Sequence, residues 1–185
     1  MSALPTPQTA TTTWNIDPVH SVAEFKVKHM MISNVKGTFS GLTGDLTEHL
    51  ADASLSFIEA TIDVATVNTN DAQRDGHLKS ADFFDVEKYP TMSFKSTQVK
   101  PDGDGGHKVS GDFTLHGVTK QITFSVDGPS APGKDPWGNI RIGLTATTKI
   151  SRKDFGITAD PMIVGDEVVI TIDIEMLVPG SAGGR

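Results

Sequence analysis

Cysteine is missing from all 185 residues, which excludes disulfides, thiolate chemistry and Cys-based zinc or iron–sulfur sites. Long apolar runs are missing too. None approaches the ~18 residues of a spanning helix, so stable membrane insertion by a helix is not expected. Positive charge is sparse: 16 Lys and Arg face 23 Asp and Glu, for a net charge of -7. The lysines stand singly along the chain, whereas a nucleic-acid surface needs them clustered, so no nucleic acid is expected as a partner. Catalytic signatures are lacking as well. There is no GxSxG, GxGxxG, Walker loop or HExxH, and the Asp/Gly turn Gly103–Gly106 is too acidic to cradle phosphate. Tyrosine is nearly absent: nine Phe stand against one Tyr, an apolar choice of aromatic.

What is present reads mostly as strand. Ala23, Phe25 and Val27 alternate with Glu24, Lys26 and Lys28. The same period of two recurs in Val109–Leu115, Ile122–Val126, Ile140–Ala146 and Val168–Met176, with Ser, Thr, Asp, Lys and Arg on the opposite parity. One wet face and one dry face is how antiparallel strands are written. Val35–Leu46, Leu55–Val67 and Thr91–Val99 read as further strands, about eight in all. Turn signals fall between them at Pro101–Gly106, at His116–Gly117 and in the longer Pro-containing stretch Gly128–Gly138. No strand–helix alternation is seen. The length fits one domain, and about eight antiparallel strands with short connections most naturally close into a barrel or stack as a sandwich.

The two ends differ from the body. Residues 1–13 are rich in Thr and Pro, without the charged and apolar regions of a secretory leader, and residues 180–185 are small and polar. The expectation is a disordered arm over 1–13, a barrel over 14–179 and a flexible tail over 180–185, in a cytoplasmic protein.

Strand parity points Gly37, Gly41, Gly111 and Ala146 inward beside Phe39, Phe57, Phe94, Phe113 and Phe124. Small residues among large ones leave room inside, and an eight-stranded barrel either fills with side chains or holds one small ligand. A lining of Phe, Ile, Val and Met suits a hydrocarbon guest. A packed core explains the same pattern, and parity does not choose between them.

Asn70–Phe94 breaks the run of strands. It carries Arg74 and Asp75, His77, the adjacent Phe83 and Phe84, and Tyr89–Pro90, and reads as a short helical segment near 71–88 at the barrel rim. Asp71, Arg74 and Asp75 form a cluster suited to a helix N-terminus, which anchors the segment or, through the Arg74 fork, meets a polar head group. One of the two Phe is expected to plug the barrel, the other to face a neighbour, a ligand or a partner chain. Of the six histidines, none are paired at i,i+2 or i,i+4. A metal site would have to be assembled at long range from His20, His29 and His77, and none is expected.

The residues also carry a family resemblance. Trp14–Ser21 followed by Phe25, Val27 and His29 resembles the opening of the YceI-like family. So do Val67–Leu78, Phe83–Asp85, Tyr89–Pro90 and Phe94, the segment Gly111–Lys120, and Arg152–Gly156 with Val164–Val168. The likeness runs in order from about Trp14 to Pro179. It implies a lipocalin-like antiparallel barrel holding a polyisoprenoid or similar amphiphilic lipid, an isoprenoid quinone or a polyprenyl compound. Many relatives are periplasmic and carry a secretion signal, which this chain does not show.

The expected function is therefore lipid binding, carriage or storage without catalysis and without a cofactor. The expected lining is Phe25, Val27, Phe39 and Phe57 from the first half of the chain. Met92, Phe94, Phe113, Leu115, Ile142, Leu144, Ile170 and Ile172 follow from the second, with Phe83 and Phe84 near the entrance. Head-group candidates are Arg74, His77 and His29. Two alternatives stand beside it: an enzyme acting on an isoprenoid quinone, with His29 as its inward titratable group, and a filled barrel serving as a protein-interaction module. An unpaired edge or the Phe83–Phe84 segment would serve a homodimer.

Overall fold

The computed structural model describes residues 10–178; the remainder of the expected arm and tail lies outside them. Eleven strands follow in chain order: β1 (Thr11–Ile16), β2 (Val22–His29), β3 (Ser33–Phe39), β4 (Leu42–His49), β5 (Phe57–Asp63), β6 (Thr91–Asp102), β7 (Gly106–Leu115), β8 (Val118–Asp127), β9 (Gly133–Lys134), β10 (Ile140–Ser151) and β11 (Val164–Leu177). One α-helix, α1 (Ala72–Lys79), interrupts them.

All the ladders are antiparallel. From β1 the sheet runs through β4, β5, β6, β7, β8 and β10 to β11, which returns to β1 at Ile16↔Met176 and Asn15↔Leu177. Eight strands thus close an antiparallel barrel, the expected fold. The β2–β3 hairpin widens the wall at β11, pairing Phe25 with Ile170 and Val27 with Val168. Closure satisfies ladder groups that an open sheet would expose.

Three readings from sequence need correction. Thr11–Thr13 are not part of an arm: they pair with Thr47–His49 and begin the barrel. The stretch Val35–Leu46 is two strands broken at Ser40–Gly41, where the backbone N–H groups of both residues donate to Thr66 Oγ1. The helical segment is shorter than 71–88: α1 ends at Lys79, capped by Ser80, and the rest is a series of turns.

Local chemistry explains the connections. His116 and Gly117 both take positive φ (52° and 73°), the two-residue geometry that matches the twist of β7 and β8. Gly111 is placed where its backbone crowds β6. A Cβ there would overlap the Lys95 carbonyl oxygen and the Phe94 ring, beside a register shift between Ser96 and Gln98. The buried Ser96 hydroxyl fills the gap by accepting the Ile58 N–H at 2.9 Å.

Candidate functional site

The strands' dry faces do not fill the barrel. Two apolar cavities lie within it, one of about 270 Å³ and one of about 120 Å³. Together they reach the lower range of ligand cavities, roughly 300–1,000 Å³. Ile62, Met92, Phe113, Phe124 and Ile172 border both, so the two are lobes of one interior divided by these five side chains.

The smaller lobe lies under β2, β11 and the α1 segment. Phe25, Val27, Phe39, Phe83, Phe84, Leu115 and Ile170 line it. Phe25, Val27, Ile170 and Ile172 are only half-buried although they face inward, because the lobe leaves their surfaces uncovered. Both residues of the Phe pair turn to it: Phe83 is buried, and Phe84 meets the Phe39 ring at 5.6 Å. The larger lobe is bordered by Phe94 and Leu144 and by Leu46, Ile58, Ala60, Val99, Val109, Val126 and Ala146.

Two expected lining residues lie elsewhere. Phe57 is 41% exposed on the outer face, because β5 turns Ile58, Ala60 and Ile62 inward instead; the strand's parity is one residue off the expected one. Ile142 is buried in the core and borders neither lobe. The alternation Ile58–Ala60–Ile62 was the signal that could have found the correct face.

The expected head-group residues are engaged at the rim. Asp71 caps α1 by accepting the Arg74 N–H at 2.9 Å. Arg74 donates from Nε to Thr69 Oγ1 (2.7 Å) and from Nη2 to the Thr69 carbonyl (2.8 Å). Asp75 accepts the Thr69 N–H (2.8 Å) and hydroxyl (2.6 Å), and the hydroxyl bond leads in holding its carboxyl below the usual range. Arg74 and Asp75 both bind the buried Thr69, while Asp71 caps the helix that carries them, and so the segment is fixed. His77 meets Asp82 at 3.0 Å and the edge of Phe83 at 5.0 Å. His29 ends β2 opposite Ser33 and Val164. None of Arg74, His77 and His29 borders a lobe.

Polar residues that sequence reasoning passed over do border them. Arg152 touches the smaller lobe, 4% exposed, its guanidinium donating to the carbonyls of Ile157 (3.0 Å), Val164 (2.9 Å) and Gly165 (2.9 Å). Burial pushes its pKa down, against the opposing fields of Asp166 and Asp160. Glu48, His49, Ser56 and His107 border the larger lobe.

A second polar cluster lies where the 128–139 loop meets the barrel. Arg141 donates to Asp17 (2.6 Å), Asp135 (2.8 Å) and Glu175 (3.3 Å), and His20 meets Asp17 at 2.9 Å. Burial opposes the charge on Asp17, but the bonds from Arg141 and His20 prevail and lower its pKa to about 2. Asp135 is held well below the usual range, with burial again outweighed by Arg141 and Asn139. Asp17, His20 and Glu175 converge closely enough to suggest a cation site, yet Arg141 already supplies the positive charge there. His29 and His77 take no part in it.

Exposed apolar side chains gather at both ends of the interior. Exposed Leu50 borders the larger lobe, and exposed Leu55 lies in the turn that supplies its lining residues Ala53 and Ser56. Met30, Met31, Ile32, Met162 and Ile163 form a tip beside Val164 of the smaller one, joined by the Met30 N–H donating to the Ile163 carbonyl at 2.7 Å.

Comparison with known proteins matches residues 14–176 to the family described as "YceI-like domain". A UPF0312 protein of Ectopseudomonas mendocina is 39% identical over 156 residues, 84% of this chain and 81% of that one. Among solved structures, BcnA of Burkholderia cenocepacia superposes with a TM-score of 0.76 at 24% identity, covering 86% of this chain and 98% of that one. A polyisoprenoid binding domain from Saccharophagus degradans superposes with a TM-score of 0.65 at 19% identity, over 91% and 99%.

Proposed function

The chain belongs to the YceI-like family, and on that footing we propose that it binds a polyisoprenoid or similar amphiphilic lipid and carries or stores it without chemistry. The observation that carries this reading is the divided apolar interior. Two adjoining lobes, lined by Phe, Ile, Leu, Val and Met, suit a long chain-like guest better than a compact one. Each Å² of hydrocarbon taken from water gains roughly 25 cal/mol, so burying several isoprene units outweighs the cost of association. The fold's likeness to a polyisoprenoid binding domain points the same way. A role without catalysis is supported by a lining that is mostly hydrocarbon, with Arg152 held by three carbonyls and the titratable Glu48, His49 and His107 confined to the larger lobe.

Native mass spectrometry of freshly purified protein, followed by organic extraction, tests the proposal. A stoichiometric adduct with isoprenoid mass spacing is the expected result. A bare mass that persists after incubation with polyprenols and isoprenoid quinones would sink it. A variant supplies the second check. Ala146 is buried against the larger lobe, and Ala146→Phe fills that space. It should cut lipid affinity at least ~10-fold while shifting stability by less than about 2 kcal/mol, since the added ring enters an existing void.

A further inference from the structure

The larger lobe has two histidines at its rim whose hydrogen bonds fix opposite tautomers. His49 is 8% exposed and accepts the backbone N–H of Asp52 at Nδ1 (3.1 Å). A backbone N–H can only donate, so the neutral His49 ring carries its proton on Nε2. His107 Nδ1 meets the Gly128 carbonyl at 3.0 Å. A carbonyl can only accept, so His107 carries its proton on Nδ1 and leaves Nε2 as a lone pair. Neither Nε2 has a protein partner among the described residues, and both residues border the lobe. One therefore offers a donor and the other an acceptor.

The charges around them narrow the choice. No Lys, Arg or Asp borders this lobe. Its one formal charge is Glu48, whose carboxylate accepts the Trp14 indole N–H at 2.8 Å. A phosphate or diphosphate head would find no cation and would face that carboxylate. Ser56 adds a second donor, because its hydroxyl oxygen accepts the His49 N–H (2.9 Å) and its own proton remains to be given.

Resting on the lipid-binding reading above, we infer that the larger lobe is the head-group end and takes an uncharged hydroxyl head, as in an isoprenoid alcohol or phenol. The hydroxyl's proton goes to His107 Nε2, and its oxygen accepts from a donor bordering the same lobe, His49 Nε2–H or the Ser56 hydroxyl. A ketone or ester head accepts only, and would leave His107 Nε2 unsatisfied.

The test compares geranylgeraniol, its methyl ether and geranylgeranyl diphosphate by competition against a fluorescent lipid. The wild-type protein should prefer the alcohol to the ether by about 3- to 10-fold, one hydrogen bond's worth, with the diphosphate weaker still. His107→Asn keeps an amide donor for Gly128, and its remaining acceptor, Oδ1, falls short of the place of the ring Nε2, so alcohol binding should fall to the ether's level while the ether is unchanged. His49→Asn keeps an acceptor for Asp52, and its amide N–H groups fall short of the place of the ring Nε2–H, so alcohol and ether should weaken together. Equal binding of alcohol and ether by the wild type, or a diphosphate that binds tightest, overturns the head-group assignment whether or not the variants fold. If none of the three lipids binds, the lipid-binding reading itself fails.

Discussion

Thr69 shows how much of the rim depends on one buried hydroxyl. It receives two bonds from Arg74 and gives two to Asp75, so Thr69→Val leaves partners from both residues unmatched. The expected loss is about 1–3 kcal/mol, measured by denaturant unfolding as a lower midpoint at unchanged slope. The anchoring use of Arg74 and Asp75 was legible from their spacing to Asp71. Thr69 as the thing anchored was not, since nothing in a lone Thr marks it as buried. Asp17 carries the pH dependence at this scale. Its carboxyl sits at about 2 in the folded protein against an ordinary 3.8, so the folded state binds fewer protons between those values. Its stabilisation is therefore complete above about pH 4 and is lost as pH falls toward about 2. Asp17→Asn should lower the melting temperature by roughly 2–8 °C at pH 7, and calorimetry across that acid interval should find the gap to wild type closing.

At the scale of strands and turns, the period of two placed β2, β7, β8, β10 and β11 with their faces correct, because each carries at least three inward apolar residues in strict alternation. It failed where the apolar pattern is continuous. In Phe57-Ile58 two large residues are adjacent, and the cross-strand pairing of Ile58 with Leu46, not size, decides which faces in. The break at Ser40–Gly41 was missed for another reason: it is held from outside by Thr66, a partner distant in sequence. Gly111 was read as room inside, whereas its use is to let β7 approach β6 at the bulge. Gly111→Ala should cost about 1–3 kcal/mol and speed amide exchange along the β6–β7 ladder around Ser96 while leaving β10–β11 unchanged.

For the molecule as a whole, a closed antiparallel barrel was legible because so many amphipathic strands with short turns leave few other ways to bury one face. The interior's division was not legible, since parity says which side chains point inward but not whether they meet. That division governs time as well as capacity. On the proposed reading, a lipid tail reaching the smaller lobe from the larger must pass Ile62, Met92, Phe113, Phe124 and Ile172, and of these the unbranched Met92 has the most rotamers with which to swing aside. Entry at the mouth and passage of the partition are then separate kinetic steps. Stopped-flow release of prenols of increasing length should find an off-rate that drops once the tail is long enough to cross, with the on-rate nearly flat. On the lipid-binding reading proposed above, that length dependence is the mark of Met92 acting as a valve, with residence time, more than equilibrium affinity, sorting long chains from short.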